Sequence, residues 1–113
     1  MSVKSYISPV YTNSGTIPTT VLSVTGKGTI DWARVYLNVN AVVSGVCDIY
    51  VDGVLYGSIY SSALVEKYYC AGVSSTVPVT TRINFKTGFY INLYKNNSPT
   101  GDATCRVGYT LYS

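Results

Sequence analysis

The sequence contains no histidine, and only 12% of its 113 residues are charged. An ordinary soluble domain carries about 25% charged residues. Without an imidazole the usual catalytic triads and dyads cannot form, and a cysteine thiol lacks its common activating partner. We therefore expect no enzymatic activity and no cofactor.

Acidic residues number only five. Asp48 and Asp52 lie on one predicted strand face, with roughly 13 Å between their α-carbons. A glycosidase needs its two carboxyl groups about 5 to 9.5 Å apart, so this pair fails the geometry. We expect Asp48 to face solvent or a subunit and Asp52 to form a turn.

Cysteine is also scarce, and Cys47, Cys70 and Cys105 show no CxxC spacing. No histidine exists to complete a zinc site, so no metal is expected. We interpret all three cysteines as reduced packing residues. A cysteine pair stays open as an alternative if the assembled protein reaches an oxidising medium.

Long apolar runs are missing as well. No stretch approaches the roughly 18 residues of a membrane-spanning helix, and the segment from Met1 to Lys4 lacks the apolar core of a secretory signal. The eight Lys and Arg residues, which leave a net charge of +3, are spread singly along the chain. Such spacing forms no stripe that could follow phosphates. The sequence thus predicts synthesis in the cytoplasm, with no membrane insertion and no nucleic-acid partner.

Helical periodicity is nearly absent, whereas short alternating runs rich in Val, Ile, Thr and Tyr recur between turn signals. About eight such strands in a chain of this length are best closed as two packed sheets. We therefore predict a single domain over residues 1–113, an all-β antiparallel β-sandwich that is jelly-roll-like.

Several strand assignments can be tested directly. Pro18 should keep the following segment at a sheet edge. The strand predicted from Thr29 to Asn40 has no plainly polar face, so it either lies centrally or contains a bulge. Asp52-Gly53 predicts a two-residue hairpin turn. Further strands are predicted over residues 5–11, 63–71, 77–85, 89–94 and 103–111.

Tyrosine is the one residue class used freely, with twelve copies. Tyr56 and Tyr60 are predicted to share one strand face, and Tyr90 and Tyr94 flank Asn92 on another. A tyrosine ring excludes water with its body and bonds with its hydroxyl, which suits a subunit interface and a sugar-stacking platform alike. Cross-strand pairing that only covers the sheets is a third interpretation.

Three short segments carry a family resemblance: Val24 to Ile30, Ile49 to Val54, and Ile83 to Ile91 continuing through Tyr109 to Leu111. They resemble small β-sandwich modules of tailed-bacteriophage virion proteins, found in tail, fibre, head-decoration and auxiliary capsid proteins. The resemblance implies a protein without catalytic residues that packs against capsid, tail or sibling subunits. Head and tail locations both stay open.

These observations lead to two hypotheses. The first is a structural virion subunit, either a capsid decoration or auxiliary protein or a tail protein. It would self-associate as a trimer or ring and dock onto other virion proteins. The alternative is a carbohydrate-binding module that recognises host-surface glycans through exposed tyrosine rings, with Asn92, Asn96 or Asp102 as hydrogen-bonding neighbours.

Overall fold

The computed structural model describes residues 2–37, 45–61, 67–69, 82–96 and 101–112. Within these ranges the chain forms ten strands. Their bounds are β1 Val3–Ile7, β2 Tyr11–Asn13, β3 Thr19–Thr25, β4 Lys27–Leu37, β5 Gly45–Val51, β6 Val54–Ser61, β7 Lys67–Tyr69, β8 Ile83–Phe85, β9 Gly88–Lys95 and β10 Ala103–Tyr112. The described part of the chain contains no helix long and apolar enough to cross a membrane.

The strands build two antiparallel sheets. Sheet A has the order β1-β10-β4-β7, with β2 also pairing β10 and β8 also pairing β4, and sheet B has the order β3-β9-β5-β6. The ten strands thus occupy eight positions, because β1 and β2 share one edge of sheet A and β7 and β8 share the other. Early strands pair with late ones in nested fashion, which is jelly-roll connectivity. The predicted fold class is confirmed.

One detail of the first sheet edge differs from the sequence prediction. The strand expected from Ser5 to Tyr11 is wrong as a continuous element, since β1 ends at Ile7 and β2 begins at Tyr11. Pro9 lies in the gap, and a proline has no N–H to donate to a ladder. Ser8 keeps the broken edge attached, because its N–H donates to the carbonyl of Val107 at 2.8 Å.

Strand β4 is central and also carries a bulge, so both sequence-based alternatives for it hold. Trp32 lies opposite Gly108 and Ile30 opposite Tyr109, which leaves Asp31 as the extra residue. The hydroxyls of Thr29 and Thr110 donate to the Asp31 carboxylate at 2.8 and 2.7 Å. This bulge shifts the alternation by one residue, so that Ile30 before it and Ala33 and Val35 after it all reach the core.

The core lies between the two sheets and is built from the inward residues of every long strand. Alternation on β9 follows the prediction, with Phe89, Ile91 and Leu93 buried and Tyr90, Asn92 and Tyr94 on the other side. The edge position predicted from Pro18 is confirmed, since β3 is the first strand of sheet B. Of the strands predicted over residues 63–71 and 77–85, only 67–69 and 82–85 are described, and of these 67–69 and 83–85 are strands. The rest of those two predicted strands lies outside the described residues, and so do residues 38–40 of the strand predicted from Thr29 to Asn40.

The hairpin turn between β5 and β6 is confirmed and does more than reverse the chain. Asp52 and Gly53 both have positive φ, 51° and 86°, as the mirror-image type I turn requires. The Asp52 carboxylate accepts bonds from the backbone N–H groups of Lys86, Thr87 and Gly88 and from the Thr87 hydroxyl, at 2.8 to 3.2 Å. One turn of sheet B therefore holds the β8–β9 turn in place.

Replacing Asp52 should change the pH dependence of stability. Hydrogen bonds from the Thr87, Lys86 and Gly88 backbone hold the pKa of the carboxyl at about 2. Because this pKa is lowered in the folded state, the contribution is complete above the ordinary pKa near 4 and is lost as the pH falls from about 4 to about 2. We expect the melting temperature of Asp52→Ala to fall below that of Asp52→Asn, which keeps one acceptor oxygen and a residue tolerant of positive φ.

Calorimetry between pH 2 and 5 measures both effects. The difference in melting temperature between the wild type and Asp52→Asn should shrink towards pH 2. Thr87→Ala removes only one donor to the carboxylate, so its melting temperature should fall least among the three variants. An Asp52→Ala variant that melts like the wild type at pH 5 would contradict this role.

Candidate functional site

The outer face of sheet B gathers most of the tyrosines selected from the sequence. Because Cys47 and Ile49 of β5 enter the core, Val46, Asp48 and Tyr50 lie on the opposite side of the strand, where Val46 is fully covered. The register places Tyr50 opposite Tyr90, Asp48 opposite Asn92 and Val46 opposite Tyr94. On the other side of β5, Asp48 lies opposite Ser58 and Val46 opposite Tyr60. We call this surface the tyrosine face; it consists of Val46, Asp48, Tyr50, Ser58, Tyr60, Tyr90, Asn92 and Tyr94.

A stacked pair of rings marks one end of the tyrosine face. The rings of Tyr50 and Tyr90 lie 4.5 Å apart between centroids with an interplanar angle of 9°. Such a pair adds about 0.5 to 1.5 kcal/mol beyond the area it buries. Each ring therefore covers one side of the other, and the pair forms a rigid aromatic ridge across two strands.

Asp48 lies at the centre of the face and is covered, so of the two expected positions the one facing solvent is wrong, and contact with a subunit stays a prediction. It is only 9% exposed. The Ser58 hydroxyl donates to its carboxylate at 2.5 Å, and the Tyr94 hydroxyl donates to it as well. A buried carboxylate needs such donors, and the neighbouring hydroxyls supply them.

Tyr94 remains a neutral donor over the whole physiological range. Burial of its ring, together with the charge and hydrogen bond of Asp48, raises the pKa of Tyr94 to about 12. The acid is thus screened from the surface by a hydroxyl that does not ionise. What the face presents outward at this point is a ring and not a charge.

The other two tyrosines from the sequence lie on β6, the last strand of sheet B among the described residues. Tyr60 lies opposite Val46 and is 55% exposed, and Tyr56 is 52% exposed. A bulge interrupts β6 beside Tyr56, because Gly57 lies opposite Ile49 and Leu55 opposite Tyr50. Val54 and Leu55 are exposed too, so β6 adds an apolar border to the tyrosine face.

Asn92 is tied to the opposite border of the face. The Thr20 hydroxyl of β3 donates to the Asn92 side-chain oxygen at 2.6 Å, and Ser23 lies opposite Tyr90. The structure therefore brings Tyr60, Tyr90, Asn92 and Tyr94 onto one surface, while Tyr56 lies at its edge. The sequence singled out these five residues but missed Asp48, Tyr50, Ser58 and Thr20.

The charge of the two outer faces differs. On the tyrosine face, the described residues include no lysine or arginine, and Asp48 is the one acid and is buried. On the outer face of sheet A, Arg34 and Arg106 lie directly opposite each other. A neutral face of rings and hydroxyls loses its water at lower cost than a charged one, which makes it the better candidate for contact with another molecule.

Within residues 2–37, 45–61, 67–69, 82–96 and 101–112, no three Cys, Asp or Glu side chains lie close enough together to hold a metal ion. The face offers recognition through rings and hydroxyls. Its one carboxylate is already engaged by two hydroxyl donors.

Comparison with known proteins gives one distant likeness. The chain matches no protein-family model, and no curated protein matches its sequence. A chain in the structure of infectious bursal disease virus, Gx strain, is similar in fold, with a TM-score of 0.46 and 13% sequence identity. The match covers 96% of this chain and 32% of the viral chain. A likeness this distant carries no argument about family or function.

Proposed function

We propose that this protein is a structural subunit of a virus particle. It acts by associating with copies of itself and by docking onto other virion proteins, and it catalyses no reaction. Jelly-roll sandwiches serve in viral capsids and in lectins, and the resemblance of the turn segments to tailed-bacteriophage modules favours the first use.

The tyrosine face is the observation that carries the proposal. It combines a rigid stack at Tyr50 and Tyr90, a covered acid and an exposed apolar border on β6. Tyrosine is enriched at the energetic centres of protein interfaces because it buries a large ring at small entropic cost. Because only 12% of the residues of the chain are charged, there is little charge repulsion between closely packed copies.

In its finer form the proposal places the protein in a tailed-bacteriophage virion, as a capsid decoration or auxiliary protein or as a tail protein. Synthesis takes place in the host cytoplasm, and the subunits form a trimer or a ring. Neither nucleic acid nor a membrane is a partner.

Substitution of Tyr56 and Tyr60, the two most exposed tyrosines among the side chains that the structure describes, should weaken assembly without unfolding the subunit. Removing an interface tyrosine at an energetic centre costs about 2 kcal/mol, or roughly 30-fold in dissociation constant. We expect Tyr56→Ser/Tyr60→Ser to run as a smaller species than the wild type in size-exclusion chromatography with light scattering. Tyr90 and Tyr94 are poorer choices, because both are partly buried and support Asp48 or the ring stack.

Ile17→Ser is the matched control, since Ile17 is 77% exposed and belongs to none of the strands. This control should assemble like the wild type, and circular dichroism should be the same for all three proteins. A wild-type protein that stays monomeric at high concentration and binds no virion protein would refute the proposal. If the double variant assembles normally, the interface does not include the β6 tyrosines.

Glycan recognition is the alternative from the sequence. Stacking of Tyr50 on Tyr90 covers one side of each ring, and Thr20 already engages the Asn92 oxygen, so these groups are less open to a sugar. A glycan array with the purified protein is the direct measurement. Saturable binding that Tyr60→Ser abolishes would favour this function over assembly.

A further inference from the structure

Two cysteines from different sheets meet inside the sandwich. Cys47 lies on the inward side of β5 in sheet B, and Cys105 on the inward side of β10 in sheet A. Both are fully buried members of the same core cluster and both carry free thiols. Their side chains share a hydrogen bond across the core. The contact joins positions that are far apart in sequence and that no other covalent link connects among the described residues.

We propose that Cys47 and Cys105 form a disulfide between the two sheets when the protein meets a small-molecule disulfide outside a reducing cytoplasm. One thiolate attacks the oxidant, forms a mixed disulfide and releases one small thiol. The second thiolate then displaces the other small thiol. The protein loses two electrons and two protons, and the oxidant is reduced to two thiols.

The position of the thiols determines when this reaction takes place. The hydrogen bond with Cys105, followed by burial, raises the pKa of the Cys47 thiol, so little Cys47 thiolate exists in the closed sandwich. Exchange therefore proceeds during folding or transient opening of the sheets. Once formed, the link closes a loop of roughly 60 residues and restricts the unfolded chain. This site is independent of the proposed assembly.

Refolding a Cys70→Ser variant tests the inference, since Cys70 is the remaining cysteine. The protein is unfolded, then refolded either with a mixture of reduced and oxidised glutathione or with reductant alone. We expect titratable thiols in denaturant to fall from two to none, with an intact mass lower by two hydrogens and no glutathione adduct. The melting temperature should rise by about 10 °C and return to its former value with reductant.

A Cys47→Ala/Cys70→Ser variant is the control and should show no rise in melting temperature under either condition. Should that control fail to fold, the thiol count and the intact mass of the Cys70→Ser protein still show whether the Cys47–Cys105 disulfide has formed. Two free thiols after oxidative refolding, two glutathione adducts, or a disulfide-linked dimer would each overturn the inference.

Discussion

Alanine at Gly28 should abolish folding or cost at least about 3 kcal/mol of unfolding free energy, well above the usual effect of a single surface change. Gly28 lies in β4 between Leu111 of β10 and Phe85 of β8. A β-carbon there would overlap the carbonyl oxygen of Thr110 and would lie 3.0 Å from the Phe85 ring. Neither neighbour can withdraw, since one is backbone and the other is packed in the core.

The measurement is chemical denaturation of purified Gly28→Ala beside Gly15→Ala. A β-carbon at Gly15 would meet only the Asn13 side-chain oxygen, at 3.3 Å, so this substitution should change the unfolding free energy by less than about 0.5 kcal/mol. A Gly28→Ala protein as stable as the wild type would contradict the close approach of β4 and β10 at this position.

Truncating Phe85 to alanine should cost about 3 to 5 kcal/mol, the usual range for a large core side chain. Phe85 is 1% exposed, and its ring lies 5.0 Å from the ring of Phe89 at 57°. It connects β8 of sheet A to β9 of sheet B, so its loss leaves a cavity between the sheets. Phe85→Leu, which refills most of that volume, should cost much less.

Thermal and denaturant unfolding of both Phe85 variants test this ordering, with Ile17→Ala as a surface control. The expected order of stability is wild type and Ile17→Ala first, then Phe85→Leu, then Phe85→Ala. Equal costs for the two Phe85 variants would mean that the ring contact with Phe89, and not the cavity, sets the energy.

Local patterns in the sequence were enough to predict most of the strands. The alternation of Phe89, Ile91 and Leu93 with Tyr90 and Tyr94 follows from the pleat, which turns successive side chains to opposite faces. Asp52-Gly53 marked a turn because both residues tolerate positive φ. The absence of a polar face on β4 predicted either a central strand or a bulge.

Contacts between distant strands could not be predicted in the same way. Nothing local to Asp48 shows that β9 lies beside it with Tyr94 above the carboxylate. The link from Asp52 to the Thr87 turn likewise depends on how two hairpins dock. Cys47 and Cys105 were each interpreted as packing residues, but which strands face each other across a sandwich is a property of topology.

Lys95 is a position where strand alternation predicts burial but the charge of the side chain predicts exposure. It follows Leu93 on the inward side of β9 and is fully buried, although lysine is rarely placed there. Its ammonium donates to the carbonyl of Gly101 at 2.7 Å, just before β10 begins. The partner is a backbone group, and a backbone acceptor leaves no signature in the amino-acid pattern.

The nesting of β1 against β10 also constrains biosynthesis. Val3 lies opposite Tyr112, and β10 separates β1 from β4 in sheet A. During translation, β1 and β4 are therefore made long before β10, the strand that pairs with both of them. Folding that depends on such distant pairings is slow. The nascent chain is thus exposed to aggregation until residue 112 emerges, a period in which chaperones would matter most.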